Sequence, residues 1–469
     1  MWVRVPPSAP PNFYFMPQLK SLLLINPWVY DFTACDFWLK PLGLLYLASI
    51  LKKYTSLKID FLDCLDVRQV GPESGFTTRA KADGRGTFFK EEVAKPDVFR
   101  SIPRRFSRYG LPISQVESRL KRTPVPEAVL ITCTMPYWYP GVQVMVELVR
   151  KIFGQVPIIL GGVYATLCPE HAQKNSGADL VVSGPAENTI LKIIADLVAG
   201  QHHKEDEMQV AFNTFDDLPS PAYELYGRPE TVCLMTSRGC PFNCSYCASR
   251  LIFPAYQARK PEKVVQEIIA LKKALDIKHI AFYDDALFLN KNQHLKKILQ
   301  MIIENKPGLK FHTPNGLQVR ELDEELARLM KEAGFQSIFL SLESTDSSLL
   351  EKTGPKVKPS DLEQALKHLE AAGFSREDLS VYLLVGLPEQ DKKQVLDSLE
   401  YVRKLGVRPR LAYFSPVPGT TEWEKLIKTG KLKPDSDPLL QNKLAFPYFW
   451  SKITPEDFAE IKQFLLEKG

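Results

Sequence analysis

Three cysteines lie close together near the middle of the chain, at Cys240, Cys244 and Cys247. Their C-x3-C-x2-C spacing allows three thiolates from one loop to ligate three irons of a [4Fe–4S] cluster, whereas a fully ligated cluster needs four cysteines. The fourth iron stays open, and an open iron can chelate the amine and carboxylate of an amino acid. The triplet therefore predicts an iron–sulfur centre that binds a small molecule at the metal.

A structural zinc site is the alternative for these cysteines. It needs a fourth Cys or His at tetrahedral spacing, and the usual pair of C-x2-C motifs is missing from the sequence. Cys233 lies seven residues before Cys240, inside a predicted strand, where it is poorly placed to complete such a site. Eight cysteines in 469 residues are too few for a disulfide framework, and we expect the reducing environment of the cytoplasm.

The segment that follows the cysteines predicts the element that positions them. Strand-like runs alternate with helical patterns, which predicts a partial TIM-like (β/α)6 barrel over residues 227–430 and a short helical tail over 431–469. The working face of such a barrel lies at the carboxyl ends of its strands. The predicted strands are residues 234–237, 279–283, 310–313, 337–342, 380–385 and 410–414. The predicted helices are residues 261–275, 292–303, 323–333, 360–372 and 392–405, with a last helix over 454–466.

A second alternation of strands and helices precedes the barrel. It predicts an α/β domain with a Rossmann-like parallel sheet over residues 16–200. The predicted strands are residues 22–26, 58–62, 128–133, 157–160 and 179–182, and the predicted helices are 41–53, 142–153 and 188–198. Residues 67–126 interrupt the pattern, and we interpret them as a basic insertion with a solvated face. Residues 201–226 are polar and proline-bearing, which is typical of a linker.

The ends and the composition of the chain complete this division. Residues 1–15 contain four prolines and no apolar core of a signal peptide, so we expect a non-native or disordered extension, with Met16 as the candidate start. The chain has 45% hydrophobic and 25% charged residues, as ordinary globular proteins do. A net charge of +5 gives no reason to expect nucleic acid as a partner, and no apolar run is long enough to span a membrane.

The cysteine triplet, with the aromatic Tyr246 just before its last member and a barrel behind it, resembles the radical SAM superfamily. The resemblance implies that Cys240, Cys244 and Cys247 hold a [4Fe–4S] cluster. It also implies that bound S-adenosylmethionine is cleaved to a 5′-deoxyadenosyl radical. Later segments resemble those that bind S-adenosylmethionine in this family, although acids and glycines at strand ends are also common as caps and turns. The implied contacts are Tyr246, Tyr283, Asp284, Asp285, Glu343, Ser344, Gly386 and Ser415.

The N-terminal half resembles the cobalamin-binding (B12-binding) domains that precede some radical SAM barrels. There a flat macrocycle lies on the carboxyl edge of the sheet, and glycines allow close approach to the backbone. The implied cobalamin contacts are Asn26, Pro27, Thr134, Gly161, Gly162, Tyr164, Ser183, Gly184 and Glu187. The D-x-H-x-x-G loop is absent and residues 28–40 contain no histidine, so that loop supplies no histidine ligand to cobalt. The alternative is a degenerate domain that only recognises substrate.

These two resemblances imply a cobalamin-dependent methylation of an unactivated carbon, with an electron donor such as flavodoxin or ferredoxin. We expect a small-molecule or lipid-like substrate. One alternative is a radical cyclase or rearrangement enzyme without methyl transfer. Another is a non-catalytic cobalamin or redox sensor, which the intact cysteine triplet disfavours. A tRNA methylthiotransferase is disfavoured because it needs additional cluster cysteines in the N-terminal region and usually carries a basic C-terminal RNA module.

Overall fold

The computed structural model describes residues 20–66, 81, 84–199, 211–354 and 357–467. The predictions for residues 1–15, for 67–80 of the insertion and for 201–210 of the linker lie outside these residues. The chain divides into an N-terminal unit that ends at Gly227 and a C-terminal unit that begins at Arg228, with Asp97–Pro103 counted with the second. Each unit is built around its own parallel sheet.

The N-terminal unit contains a five-stranded sheet among its described residues, in the order β3-β1-β6-β7-β8, with every pair parallel. The predicted Rossmann-like sheet is thereby confirmed. All six residues of β6 are buried, as expected for a strand covered on both faces. The strands of this unit are β1 Ser21–Asn26, β2 Val29–Asp31, β3 Lys58–Asp63, β4 Lys90–Glu92, β5 Ser107–Tyr109, β6 Ala128–Cys133, β7 Ile158–Gly162 and β8 Leu180–Val181.

Helices connect the parallel strands of this unit. In the first helix, Leu44, Leu45, Ala48 and Leu51 are buried at helical spacing, while its last turn carries two lysines. The third helix begins three residues before its predicted start because Pro140 occupies its first turn, where proline is well tolerated. The helices are α1 Leu42–Tyr54, α2 Ile113–Arg122, α3 Tyr139–Phe153, α4 Val163–Leu167, α5 Pro169–Asn175 and α6 Ile190–Ala199.

The described part of the predicted insertion is more ordered than a solvated basic face. Strands β2, β5 and β4 form a small antiparallel sheet, and α2 follows it. The Arg108 side chain is only 7% exposed, and its Nη2 lies 2.6 Å from Oε2 of Glu91. Arg119 Nη2 donates to the Phe61 carbonyl. The prediction of a solvated face is therefore wrong for Arg108 and Arg119, because both guanidinium groups bind partners inside the unit.

The described part of the predicted linker packs as part of the N-terminal unit. Tyr223 and Tyr226 are buried, and the Tyr226 ring lies 5.0 Å from the ring of Phe61 in β3. The Ala222 N–H donates to the Leu45 carbonyl of α1. The structure thus differs from the linker prediction here, because two aromatic residues in an otherwise polar segment find a buried site.

The C-terminal unit contains a six-stranded sheet among its described residues, in the order β9-β12-β13-β14-β15-β16, with every pair parallel. Strand order follows chain order, which confirms the predicted partial barrel. The predicted first strand is displaced, since Ser237 lies in β10, which pairs with β11 outside the main sheet. The strands are β9 Thr231–Leu234, β10 Ser237–Arg238, β11 Gln257–Ala258, β12 His279–Phe282, β13 Lys310–Gln318, β14 Phe335–Glu343, β15 Leu379–Val385 and β16 Arg408–Tyr413.

Side-chain caps determine where several helices of this unit begin. Asp323, Asp346, Asp391 and Thr420 each accept a hydrogen bond from the backbone N–H three residues later. No helix among the described residues has the length and apolar character needed to cross a membrane. The helices are α7 Ser249–Ile252, α8 Pro261–Leu275, α9 Leu295–Asn305, α10 Glu324–Ala333, α11 Ser347–Thr353, α12 Pro359–Ala371, α13 Lys392–Lys404, α14 Thr421–Lys428, α15 Phe446–Phe449 and α16 Pro455–Glu467.

Candidate functional site

The three clustered cysteines lie in one loop between β10 and α7. Cys240 and Cys244 are buried, Cys247 is half-buried, and none of the three forms a disulfide. Gly239 precedes them with a φ of 78°, and a Cβ there would lie 2.5 Å from the Ala255 carbonyl oxygen, so only glycine fits. The turn is closed by the Cys247 N–H, which donates to the Cys244 carbonyl at 3.1 Å. The loop therefore presents three thiols from a fixed backbone.

The cysteine loop suits a cluster better than a single ion. No three His, Cys, Asp or Glu side chains in the described ranges converge closely enough to hold one metal ion. In a [4Fe–4S] cluster each thiolate ligates its own iron, so the three sulfurs must stand farther apart than the ligands of one ion. Three cysteine thiols in one loop fit that donor set.

Asp284 lies just past the end of β12, is 2% exposed and binds the start of the cysteine segment. Its carboxylate accepts hydrogen bonds from the backbone N–H and hydroxyl groups of both Thr236 and Ser237, at 2.6–3.1 Å. Burial raises the pKa of Asp284 to about 6, and these hydrogen bonds act in the opposite direction. The structure thus brings this predicted cofactor contact to the segment that carries the cysteines.

Asp285 binds the same segment at two points. Its Oδ2 accepts from the Gly239 N–H at 3.1 Å, and its Oδ1 accepts from the Ser249 hydroxyl at 2.8 Å. The Ser249 oxygen also lies 3.3 Å from the sulfur of Cys247. Burial raises the pKa of Asp285, while the bonds from Ser249 and Gly239 lower it. The neighbouring Tyr283 is half-buried, and its carbonyl accepts from the Asn315 side chain at 3.2 Å.

A cavity of about 340 Å³ lies within the C-terminal unit. Two of the predicted S-adenosylmethionine contacts, Tyr246 and Glu343, line it together. The full lining is Tyr246, Pro314, Asn315, Gly316, Ser341, Glu343, Tyr382, Leu384 and Ala412. The cavity is thus bounded by the cysteine loop on one side and by β13 to β16 on the others, at the place where a barrel holds its ligands.

Glu343 is the carboxylate of this cavity, and it is held in an unusual backbone conformation. Its φ is 70°, in the left-handed region, and the register between β14 and β15 shifts at this point. Such conformations are strained for non-glycine residues and occur often at functional sites. Burial raises the pKa of the Tyr246 hydroxyl well above its usual value, and the charge and hydrogen bond of Glu343 add to the effect.

Three other predicted S-adenosylmethionine contacts, Ser344, Gly386 and Ser415, make contacts within the chain. The buried Ser344 hydroxyl accepts from the Asp346 N–H at 3.0 Å, and Ser415 donates to the Gln441 carbonyl. Gly386 has a φ of 97°, and a Cβ there would lie 2.7 Å from the Phe446 ring. None of the three is among the residues that line the described cavity.

Sequence reasoning missed several residues of the site. Asn315 lines the cavity, and its side chain donates to the carbonyls of Tyr283 and Asp284 at 3.2 and 3.0 Å. The Tyr382 hydroxyl donates to the Pro314 carbonyl at 3.1 Å. The Pro-Asn-Gly run at residues 314–316 is a turn signal that pointed to this position, because it follows directly on the predicted strand 310–313. No comparable signal marks Tyr382.

In the N-terminal unit, the predicted cobalamin contact Asn26 joins two strand ends. Its amide donates to Asp63 Oδ1 at 2.8 Å, and the Tyr226 hydroxyl donates to Asp63 Oδ2. Both Asn26 and Pro27 are buried, and burial also raises the pKa of Asp63. Asn26 thus ties β1 to β3 at the carboxyl edge of the sheet.

The glycines at the same edge leave backbone accessible. A Cβ at Gly184 would meet no atom within 4 Å, and one at Gly161 would meet only the Val182 oxygen at 4.0 Å. Gly162 is exposed with a φ of 90°. Thr166, which the prediction did not include, donates to the Gly162 carbonyl and accepts from the Gly184 N–H. This edge fits a flat ligand that approaches the backbone closely.

The other predicted cobalamin contacts differ in exposure. Thr134 and Glu187 are half-buried and Ser183 is exposed. Tyr164 is fully buried, and its hydroxyl lies 2.7 Å from Nδ1 of His171. Among the described residues of the N-terminal unit, His171 is the one histidine.

Family models match both halves of the chain. The model described as the radical SAM superfamily matches residues 234–427, and the one described as a B12 binding domain matches residues 107–194. This chain is a radical SAM enzyme with a B12-binding domain. Its cofactors are accordingly a [4Fe–4S] cluster, S-adenosylmethionine and cobalamin. The B12 match begins at β5, so the end of the predicted basic insertion falls within the domain it was expected to interrupt.

Known relatives of this radical SAM enzyme extend the likeness over both domains. It is 27% identical to an uncharacterized methyltransferase, PH0819, of Pyrococcus horikoshii, over 73% of this chain and 76% of the relative. It is 22% identical to the cytidylyl-2-hydroxyethylphosphonate methyltransferase of Streptomyces wedmorensis, over 89% of this chain and 84% of the relative. The solved radical SAM methyltransferase TsrM from Kitasatospora setae shares the fold, with a TM-score of 0.68, 16% identity and coverage of 95% and 89%.

Proposed function

We propose that this enzyme methylates an unactivated carbon of a small-molecule substrate with S-adenosylmethionine and cobalamin. The observation that carries the proposal is the loop of three cysteines beside a cavity that Tyr246 and Glu343 line, in a chain that also has a B12-binding domain. Two relatives that match over 73% and 89% of this chain are named as methyltransferases, whereas the cyclases match over at most 64%, which favours methyl transfer over cyclisation.

Cys240, Cys244 and Cys247 are the cluster ligands in this proposal. When bound, the cluster supplies an electron for cleavage of S-adenosylmethionine, and cobalamin carries the methyl group. The residues of this chain contribute by holding the cysteine loop in position. Thr353 accepts from the Ser245 N–H, and Glu422 donates its N–H to the Ser245 carbonyl, each at 3.0 Å, so α11 and α14 fix the loop between the second and third cysteines.

Glu343 and Tyr246 are the proposed contacts for the ligand of the cavity. A carboxylate accepts hydrogen bonds from hydroxyl or ammonium groups, both of which S-adenosylmethionine carries. Tyr246 donates its hydroxyl to Glu343 and so orients the carboxylate, while its ring covers one wall of the cavity. Tyr283, Ser344, Gly386 and Ser415 remain predicted contacts of S-adenosylmethionine.

The carboxyl edge of the N-terminal sheet is the proposed cobalamin site. Gly161 and Gly184 offer accessible backbone there, and Gly162 is exposed although its α-carbon packs against Thr132 and Cys133. Thr134, Ser183 and Glu187 are the remaining polar contacts. Asn26, Pro27 and Tyr164 are buried, and they support the edge from beneath. Because residues 28–40 contain no histidine, we expect cobalamin to bind with water or no nitrogen ligand below cobalt.

The remaining partners follow from this chemistry. An electron donor such as flavodoxin or ferredoxin is needed to reduce the cluster, and a small-molecule or lipid-like substrate is needed to accept the methyl group. We also propose a reducing, cytoplasmic environment, because eight cysteines in 469 residues are too few for a disulfide framework.

Anaerobic reconstitution with iron, sulfide and cobalamin tests the function. With substrate present, a methylation forms 5′-deoxyadenosine and S-adenosylhomocysteine in a ratio near one, because each turnover uses two molecules of S-adenosylmethionine. The triple variant Cys240→Ala, Cys244→Ala, Cys247→Ala should lose the cluster and both products. Cys35→Ala is the matched control, because Cys35 is an exposed free thiol outside the loop. Abundant 5′-deoxyadenosine without cobalamin-dependent S-adenosylhomocysteine would select the cyclase or rearrangement alternative.

A further inference from the structure

Two adjacent carboxylates at the end of β12 hold both ends of the cysteine segment. Asp284 binds residues 236 and 237 before the cysteines, and Asp285 binds Gly239 before them and Ser249 after them. We propose that Asp285 is a positioning residue that keeps the hydroxyl hydrogen of Ser249 directed away from the sulfur of Cys247, and that this lowers the reduction potential of the cluster. The inference rests on the cluster ligands of the proposed function.

The Ser249 hydroxyl lies within hydrogen-bonding distance of two acceptors. The Ser249 oxygen lies 2.8 Å from Asp285 Oδ1 and 3.3 Å from Cys247 Sγ. Without a bound cluster, the thiol of Cys247 donates a hydrogen bond to the Ser249 oxygen, and the Ser249 hydroxyl donates one to Asp285 Oδ1. A thiolate that ligates iron has no proton to donate and becomes an acceptor. Serine has one hydroxyl hydrogen, so the carboxylate and the sulfur then compete for it.

The carboxylate wins this competition for two reasons. A hydrogen bond to an ionised carboxylate is charge-assisted and shorter than one to sulfur, which is a weak acceptor. The carboxylate is also held in place, because its Oδ2 accepts from the Gly239 N–H and the preceding residue, Asp284, is fixed by four donors. The Ser249 hydroxyl therefore stays directed at Asp285 when Cys247 ligates iron.

The consequence concerns the electron that the cluster must deliver. A hydrogen bond donated to a ligating sulfur stabilises the reduced, more electron-rich cluster and raises its reduction potential. Withholding this bond keeps the potential low, and a low potential makes the reduced cluster a stronger reductant. Asp285 thus affects the cluster by preventing a hydrogen bond from the Ser249 hydroxyl to the sulfur of Cys247.

Asp285→Asn reverses the arrangement. The carboxamide oxygen replaces Oδ2 as acceptor for Gly239, and the amide NH2 then faces the Ser249 oxygen as a donor. The hydroxyl hydrogen is released and turns to Cys247. We expect the ratio of reduced to oxidised cluster at a fixed applied potential to rise several-fold, where tenfold corresponds to about 59 mV for one electron.

The experiment is a redox titration of the reconstituted full chain, without S-adenosylmethionine, followed by electron paramagnetic resonance. It compares wild type, Asp285→Asn, Ser249→Ala and the double variant at equal iron and sulfide content. We expect a raised potential in Asp285→Asn alone, with Ser249→Ala and the double variant near wild type. A double variant raised as much as Asp285→Asn would show that the lost charge is the cause and would overturn the proposal.

Two results keep the test decisive. If Asp285→Asn does not load a cluster, the reduction potential of Ser249→Ala alone decides. A potential below that of wild type would mean that the Ser249 hydroxyl already donates to the sulfur in the wild type, which contradicts the proposal. A potential in Ser249→Ala equal to that of wild type supports the proposal. A wild-type chain that binds no cluster at these cysteines contradicts the proposed function instead, so the two failures are distinguishable.

Discussion

A buried aspartate stands at the carboxyl edge of each of the two sheets, and the two differ in what they hold. Asp63 at the end of β3 accepts from the side chains of Asn26 and Tyr226, which close the edge of the N-terminal sheet. Asp284 past β12 accepts from the backbone and hydroxyl groups of Thr236 and Ser237, at the start of the cysteine segment. Burial raises the pKa of both carboxyl groups. The comparison shows that the location of the hydrogen-bond donors decides whether such a carboxylate stabilises the sheet edge or positions the cysteine segment.

The largest effect is expected from Asp284→Asn. An amide can accept from only some of the four donors and turns its own NH2 towards the others, so buried donors lose their partner. We expect the free energy of unfolding to fall by on the order of 4 kcal/mol and the iron content after reconstitution to fall several-fold. Urea unfolding and iron analysis measure the two effects.

Asp346→Asn is the matched control for this variant. Asp346 is also a hydrogen-bonded carboxylate of the C-terminal unit, but it caps α11 by accepting from the Leu349 N–H. Asn caps helices about as well as Asp, so we expect a cost of less than about 1 kcal/mol and an unchanged iron content. Full iron content in Asp284→Asn would contradict the role of Asp284 in the cysteine segment.

The pH dependence of stability is the next effect in size. The pKa of Asp284 is raised from 3.8 to about 6 in the folded chain, so the folded state binds the proton more tightly than the unfolded state. The resulting stabilisation is complete below pH 3.8 and is lost as the pH rises through about 6, with a total of about 3 kcal/mol. The free energy of unfolding of Asp284→Asn should not show this decrease with rising pH.

Urea unfolding of the metal-free chain between pH 4 and pH 7 measures this prediction. The wild type should exceed Asp284→Asn in free energy of unfolding by the largest amount at pH 4. This excess should decrease as the pH rises towards 7 and then stay constant. A difference that stays constant with pH would show that Asp284 does not titrate in the folded chain within this range.

Asp63→Asn tests the same comparison at the aspartate of the N-terminal sheet. It removes an acceptor for Asn26 and Tyr226 at the N-terminal sheet edge, and we expect a loss of about 2 kcal/mol of stability. Cobalamin binding should weaken, while the iron content stays at the wild-type level. Absorbance titration with cobalamin and iron analysis on the same sample separate the two readouts. Iron loss as large as in Asp284→Asn would break the comparison.

The smallest effect is expected from Tyr226→Phe, which removes one donor to Asp63 and keeps the ring against Phe61. We expect a cost of about 1 kcal/mol, measured by urea unfolding. In a double-mutant cycle with Asp63→Asn, the second substitution should cost much less than it does alone. Additive costs would show that the hydroxyl contributes through another contact.

The parts of the fold that the sequence predicts well depend on local periodicity. The predicted helix 261–275 has the observed bounds of α8, because proline begins it and its apolar residues repeat at helical spacing. The parallel strands are recognisable as continuous apolar runs, as in β6. The cysteine spacing likewise marks the loop without knowledge of the fold.

What the sequence could not supply depends on contacts between distant residues. The hydrogen bonds of Asp284 join residues 47 and 48 positions apart, so its orientation follows from the pairing of β9 with β12. Tyr226 looked like part of a linker because its partner Asp63 lies 163 residues earlier. The contact of Gly386 with Phe446, which its missing side chain makes possible, joins residues 60 positions apart and has no local signal.

That same glycine has a consequence for how the chain is completed during synthesis. Trp450 donates its indole N–H to the Gly386 carbonyl across 64 residues, and Phe446 covers the glycine. The end of β15 thus remains uncovered until the ribosome has made the segment that contains α15. Until then the nascent chain exposes an apolar surface at the end of β15, and we expect chaperones to bind this surface during translation.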